Sequence, residues 1–507
     1  MSGTHRTHLR YESADAFGAL HHATPLTTLS PQPLPAPHSH LLCLPSLSTI
    51  NVLDLNTNTL HAKLFHTNPS PYGTHRALNT DTISTLITPP TLPSDTATIA
   101  VGYTSGTIRI FTILTDDLPN TRVNSLLDDD VHTHHTPLPL SLTGHSAPIT
   151  ILVYDSPGTR LCSASTDAHI TVWDTIAECG LLKLSGHVGP VTSLSFIPGW
   201  EAGLCSGGAD GVVKVWDLDL QCSVRTLTEF RSEVNALTCF KVGGKKFGPT
   251  DEPTEPRIRI LAGGNDVELR MWNVSLPTDA DPADDAMTTE TEATVTYTGS
   301  IHRLTAEPVS CVKIHNNKYT VGVSAVGGRS VEIYRMRSEE ESGKRRNRRV
   351  KRRREKEGKI DSSAAANNNS KKKGLLDEEI DPAHDPAEQT NFDETNVDFD
   401  AVTTRDELLH YCTIRTASKV KGFVFVDAVE KGGGVRCAVA LANGAVEVWR
   451  VPKFGDDGTV AEAKRVANID MYGHANPIRG VAVSEDDTMC CCVGKGGLKI
   501  WNVESRS

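Results

Sequence analysis

The sequence predicts an all-β fold made of repeated four-stranded units, and three observations carry that expectation. The first is the placing of tryptophan. Of six tryptophans, five end the same kind of segment: "SASTDAHITVWD" (Trp173), "SGGADGVVKVWD" (Trp216), "AGGNDVELRMWN" (Trp272), "ALANGAVEVWR" (Trp449) and "CVGKGGLKIWN" (Trp501). Two more segments end on another aromatic, "AVGYTSGTIRIF" (Phe111) and "SAVGGRSVEIY" (Tyr334), and a degenerate one closes at Leu53-Asp54. The second observation is the pattern inside each segment. A short apolar strand, a turn rich in Gly, Asp or Asn, and a strand alternating apolar and polar make a hairpin by period and by turn chemistry. The third is a Gly-His pair ahead of three of them, in "GHSAPITILVY", "GHVGPVTSLSF" and "GHANPIRGVAV". From His145 to Trp173, His187 to Trp216 and His474 to Trp501 the separations are 28, 29 and 27 residues.

Gly-His, hairpin and Trp-Asp at this spacing form the WD-repeat pattern, one four-stranded blade per period of about 40–45 residues. The fold expected is therefore a WD40 β-propeller. Eight units are counted, near residues 40–66, 81–115, 144–182, 186–228, 231–275, 308–337, 418–452 and 473–503. A single blade exposes apolar faces, so a ring must close. Only six residues follow Trp501, too few for an outer strand. The arrangement preferred on this ground is seven blades plus the start of a second propeller. It divides the chain into an N-terminal segment (1–39), a first propeller (40–452, with a charged insertion at 338–407), a connector (453–472) and an incomplete first unit of a second propeller (473–507). The alternative is one closed ring of eight units, with residues 9–20 completing the last.

The residue types have a physical reason. In the two clean units, His145 or His187 can bridge to the turn residue Asp167 or Asp210. Ser163 or Ser206 can link that histidine to the indole N–H of Trp173 or Trp216. A buried His or Asp is tolerated only when hydrogen-bonded in such a way. The fifth unit carries Glu229-Phe230 where a Gly-His pair belongs, so its chain is expected to be incomplete.

Charge is distributed unevenly. The chain carries −11 overall, yet eleven Lys and Arg crowd the stretch from Lys344 to Lys359, which nets +9 and leaves −20 for the rest. Ser338 with Glu341 reads as a capping box, and glutamates in the first turn favour a helix from about 338 to 357. Beyond it, "DSSAAANNNSKKKG" is low in complexity and the run to Asp400 is acidic, so 358–405 is expected to be mostly disordered. Two readings stand for the basic residues Lys344, Arg345, Arg346, Arg348, Arg349, Lys351, Arg352, Arg353 and Arg354. The first, and weightier, is a solvated nuclear or nucleolar address. The second is an RNA-contacting arm whose guanidinium groups neutralise phosphates. No aromatics interleave the charges, which argues against sequence-specific readout. The acidic remainder suits protein partners better than nucleic acid.

The segments "LRYESADAFGAL", "STDAHITVWDTIAECGLLKLSGHVGPVT", "VVKVWDLDLQCSVRTLTEFRSEVNAL" and "SVEIYRMRSEEESGKRRNRRVKRRREKE", in that order, resemble the WD-repeat U3 small nucleolar RNA-associated protein of the UtpB subcomplex, the Utp-twelve type. The resemblance runs from about Leu9 onward and corresponds to the N-terminal part of that family's length. It implies two tandem propellers followed by a helical domain, of which this chain would hold the first part. It also implies a nucleolar scaffold of the small-subunit processome, acting in pre-rRNA processing toward 18S rRNA. The partners implied are other UtpB subunits, processome proteins, U3 snoRNA and pre-rRNA.

Other chemistry finds little support. No apolar run reaches the length of a membrane-spanning helix, and the N-terminus lacks an apolar signal core. The twelve cysteines are never spaced C-x-x-C, which points to a reducing compartment. "DDDVHTHHT" (Asp128 to Thr136) mixes His132, His134 and His135 with aspartates but has no fixed ligand geometry, so a surface loop is preferred over a metal site. Neither "VGGKKFG" nor "VGKGGLK" fits a phosphate-binding loop, and no G-x-S-x-G motif occurs. No enzyme, cofactor, metal, small-molecule substrate or membrane role is expected. The competing function is a generic WD40 interaction adaptor, such as a ubiquitin-ligase substrate receptor; a propeller hydrolase is the least supported.

Overall fold

The computed structural model describes residues 10–16, 32–35, 38, 41–46, 49–54, 59–65, 81–92, 96–114, 139–242, 257–276, 293–315, 319–367, 402–427, 435–443, 445–451, 464–469, 478–483, 489–494 and 497–504. Eight antiparallel sheets of four strands account for nearly all of them. The third sheet, from the first clean unit, runs Ile149–Tyr154, Arg160–Ser165, His169–Asp174 and Cys179–Ser185, each strand pairing with the next. The fourth repeats it with Val191–Phe196, Gly203–Gly208, Val213–Asp217 and Cys222–Leu227. In both, the second and third strands are the most buried.

Sheet touches sheet in sequence round a ring, and Gln32–Pro33 of the first sheet lies against Ile478–Val483 of the eighth. Side chains from adjacent sheets interlock between them. Cys162, Ile170 and Val172 of the third pack with Leu194, Leu204 and Trp216 of the fourth in one buried cluster. Burying each large apolar side chain contributes about 1.5–3 kcal/mol relative to leaving it exposed.

A β-bulge recurs after the first residue of the innermost strand, at Ile149/Ile151, Val191/Ser193, Val234/Ala236 and Val309/Cys311 among others. The bulged residue turns sideways and ties its strand to the next sheet. Thr150 Oγ1 donates to the Val191 carbonyl at 2.6 Å, Thr192 Oγ1 to that of Val234, and Asn235 Nδ2 to that of Val309 at 3.1 Å. Gly106, at φ +86°, is needed in the second sheet's turn. A Cβ there would come within 2.7 Å of the His145 carbonyl oxygen and 2.8 Å of that of Ala147.

The ring closes differently from the arrangement preferred on sequence. The eighth sheet takes its outer strand from Arg10–Ala16, which pairs with Gly497–Glu504 in the register Arg10↔Glu504, Tyr11↔Val503, Glu12↔Asn502 and Ser13↔Trp501. The expected second propeller at 473–507 is thereby corrected, and the closed ring of eight is the arrangement found. Two other boundaries move with it. Lys464–Ile469, within the stretch taken as a connector, is the outer strand of the seventh sheet. Residues 10–16 and 32–33, within the stretch set apart as an N-terminal segment, are propeller strands. The physical cause is the exposed edge of Gly497–Glu504, whose unpaired N–H and C=O groups demand a partner strand.

The sixth sheet consists of Val309–Ile314, Thr320–Ala325, Ser330–Met336 and Leu408–Arg415, so the charged insertion lies between its third and fourth strands. It opens with helix α1 (Glu339–Asn367) and returns through the short helix α2 (Thr404–Glu407). α1 outruns the expected end near 357, because Ala364–Ala366 have the highest helix propensity and carry it past Gly358. The expectation of mostly disordered chain over 358–405 is corrected for 358–367 and 402–405; residues 368–401 lie outside those described. No described helix is long and apolar enough to cross a membrane.

Candidate functional site

Two features compete for a functional role: the polar chains inside the blades and the basic helix on the rim. In the third sheet the Gly-His turn delivers His145 beneath the Asp167 turn. Its Nδ1 stands 3.0 Å from Asp167 Oδ2 and its Nε2 2.8 Å from Ser163 Oγ, while Trp173 Nε1 donates to Ser163 Oγ at 2.8 Å. The fourth sheet repeats the figures: His187 Nδ1 to Asp210 2.9 Å, His187 Nε2 to Ser206 2.8 Å, Trp216 Nε1 to Ser206 2.8 Å. A carboxylate only accepts, so Nδ1 carries the proton in both rings. Nε2 then accepts from serine, and serine accepts from the indole. Donation runs one way along the chain, and every member is satisfied.

Burial pushes the His145 and His187 imidazoles below their ordinary range, only partly offset by the bond to Asp167 or Asp210. Burial raises the Asp167 carboxyl too, but the N–H groups of Ser146 and His169 and the bond from His145 outweigh it and leave it low. Asp210 is likewise held low against its own burial, by the Val188 N–H and His187. Ser, His and Asp at these distances match the arrangement of a hydrolase triad. Both serines, however, are 0% exposed. Each already accepts the indole N–H, so no reacting carbon has access to the oxygen. The chains are structural.

The other blades solve the same problem differently. The fifth keeps Asp266 and Trp272 but has Phe230 for the histidine and, by strand register, Ala262 for the serine. Its buried Trp272 Nε1 finds no acceptor among the described residues, while Phe230 packs 6.1 Å from the indole, centroid to centroid. Asp266 instead accepts from Ser232 at 2.5 Å and Arg270 at 2.7 Å. The sixth and seventh place a glutamate two residues before the aromatic. Tyr334 donates its hydroxyl to Glu332 at 2.6 Å, and Trp449 Nε1 donates to Glu447 at 3.0 Å. Buried Glu332 is also paired with Arg303 and bonded by Thr305. His474 lies outside the described residues, as does Asp128–Thr136.

The basic helix is held at its root. Ser338 caps it: Glu341 N–H donates to Ser338 Oγ, and Ser338 N–H to Glu341 Oε2, each at 3.3 Å. Arg337 donates to the carbonyls of Arg405 and Asp406 at 3.0 and 2.9 Å. Arg349 then reaches Asp406, with Nη2 at 3.0 Å. The next residue, Glu407, is buried against the fifth sheet, where Arg259 grips both its oxygens and Arg257 adds a contact at 3.3 Å. Thr404 Oγ1 donates to the Gly299 carbonyl at 2.8 Å. α2 thus links helix and neighbouring blade.

Of the basic residues singled out in the sequence, Lys344, Arg345, Arg348, Lys351, Arg352, Arg353 and Arg354 are exposed, whereas Arg346 and Arg349 are half-buried. Lys344 also pairs with Glu340 one turn earlier. Sequence reasoning missed the glutamates and Arg303. A polar residue in an alternating strand reads as solvent-facing, and only the repetition of "VEIY" and "VEVW" hints otherwise.

Ring, blade and buried chains together define an all-β propeller carrying WD40 repeats. The WD domain, G-beta repeat family model matches residues 137–174, 180–217 and 465–502. Over 102 residues, 20% of this chain, the sequence is 28% identical to WD repeat-containing protein 3 homolog of Dictyostelium discoideum and 27% identical to WD repeat-containing protein 3 of Mus musculus. The match spans about a tenth of the length of each of these relatives, 10% in both cases. Among solved structures, the computationally designed Ika8 protein superposes with a TM-score of 0.51 over 97% of this chain and 100% of its own, at 15% identity, a likeness of fold alone.

Proposed function

We propose that this chain is a non-enzymatic scaffold of the small-subunit processome, acting in the nucleolus on pre-rRNA processing and 18S rRNA maturation beside the U3 particle. The observation that carries the reading is the basic helix rooted in the sixth blade of a WD40 propeller, in the segment order of the UtpB-type resemblance. The rest of the chain is acidic in composition, which suits protein partners. Val188, Leu304 and Val326, exposed by 92%, 68% and 56%, lie on turns at the end of the blades that holds the His–Asp pairs. Apolar residues so exposed at this end of the fourth and sixth blades suit a protein contact. The alternative is a generic WD40 adaptor, which the propeller alone supports equally.

Affinity capture from cells separates the two. Recovery of processome proteins with U3 RNA supports the scaffold, and recovery of a ubiquitin-ligase core without U3 would replace it. Crosslinking and sequencing of bound RNA, with nucleolar targeting supplied separately, then distinguishes contact from address. Crosslinks lost on neutralising the exposed basic residues of α1 make the helix an RNA contact.

A further inference from the structure

We propose that one side of α1 is a binding face for the phosphate backbone of double-stranded RNA, read without sequence preference, and that Arg346 and Arg349 belong to the helix's root rather than to that face. That the duplex is RNA rests on the function proposed above; the division of the helix and the preference for a duplex rest on geometry and chemistry.

At 3.6 residues per turn, Lys344, Arg345, Arg348, Lys351 and Arg352 fall at i, i+1, i+4, i+7 and i+8, along one side. All five are exposed. Ser342, Arg346, Arg349 and Val350 fall on the opposite side, and each is buried or half-buried. Ser342 is 0% exposed, the Arg346 Nε is shielded from solvent, and Arg349 is engaged by Asp406. From Lys344 to Arg352 the run that looks uniform in sequence is therefore two-sided; Arg353, one turn beyond Arg349 on the inward side, is past the root and exposed.

The outward stripe spans about 12 Å along the helix axis, with basic residues in every turn. A duplex presents one phosphate charge per roughly 1.7 Å of its axis, twice the density of either strand alone. A convex, anchored rod can meet phosphates on both sides of a groove. Single strands are bound with the help of aromatic platforms that stack bases, and α1 has no Phe, Tyr, Trp or His between Glu339 and Asn367. Three of the five outward residues are Arg, whose planar fork matches phosphate oxygens. These features favour a duplex over a single strand and over an acidic protein.

The test uses the full chain and measures binding of a short mixed-sequence RNA duplex between about 50 and 200 mM salt. The triple variant R345Q/R348Q/R352Q is expected to reduce the slope of log K against log salt by about 2.7, three contacts at about 0.9 each. R349Q is expected to keep the wild-type slope. All three residues of the triple are exposed, so an unchanged melting curve serves as the folding control. A slope lowered by about 0.9 in R349Q would mean an undifferentiated charge run and overturn the division into faces. Equal affinity for a single strand of the same length would overturn the duplex preference. Displacement of the duplex by poly-glutamate at matched charge would reassign the face to an acidic protein. Duplex binding with the expected slopes, but no U3 or pre-rRNA crosslinks in cells, would sink the scaffold reading and leave the face intact.

Discussion

Asp210 holds a histidine ring by one bond and a backbone N–H by another, so its carboxylate fixes both the turn and the direction of donation along the chain. Asp210→Asn leaves the shape and removes the charge, setting an amide opposite the imidazole N–H. The expected loss is about 1–3 kcal/mol, read from urea or thermal unfolding; an unchanged midpoint would deny the chain its part in the fourth blade. A pH dependence follows from the same groups. His145 and His187 lie below their ordinary value when folded, and Asp167 and Asp210 below theirs. The unfolded chain therefore takes up protons first as pH falls. Their contribution is complete above about pH 6.5, and the histidine part declines below that value. The carboxylate part declines only below about pH 3.9. Calorimetry is expected to give a lower melting temperature at pH 5 than at pH 7.5, and a higher one would contradict the assignment. At this scale the His, Ser, Asp and Trp positions were legible because their spacing repeats. Glu332 and Glu447 were not, because alternation assigns a strand glutamate to solvent and the partner Arg303 sits in a linker with no pattern of its own.

Among the elements, α2 matters more than its four residues suggest. Glu407 carries the contact to the fifth blade and Asp406 the contact to α1, so the short helix transmits the ring's geometry to the arm. Glu407→Ala strands the buried Arg259 guanidinium and is expected to cost about 3–5 kcal/mol. Replacing both partners, R259L with E407L, should recover most of that, since a packed apolar pair does without the desolvation of two charges. Hydrogen exchange over 402–407 and α1 is the measurement that locates the effect; protection unchanged in the single variant would rule out the linkage. The start of α1 was readable from Ser338 and Glu341, as local chemistry. Its root was not, because Arg349 and Asp406 stand 57 residues apart and meet only once the sixth blade has folded.

For the whole molecule, the propeller class was legible from hairpin period and Gly-His spacing, whereas the manner of closure was not. "RYESADA" is a short strand with no local sign of its partner, and the six residues after Trp501 suggested an incomplete blade. Removing residues 1–16 is expected to expose the edge of Gly497–Glu504 and drive self-association, seen by sedimentation. Adding back a peptide of residues 9–16 should restore the monomer, and a truncated chain that stays monomeric with an unchanged melting temperature would argue against this closure. The pairing also sets a timetable for synthesis. Between Ala16 and Gly497 lie 480 residues, which a ribosome adds in roughly 25–100 s. For that interval the earliest strand has no mate and the half-built ring presents raw sheet edges to the cell. Closure by this pairing is therefore expected only after Gly497–Glu504 has been synthesised, with earlier sheet edges open to association until then.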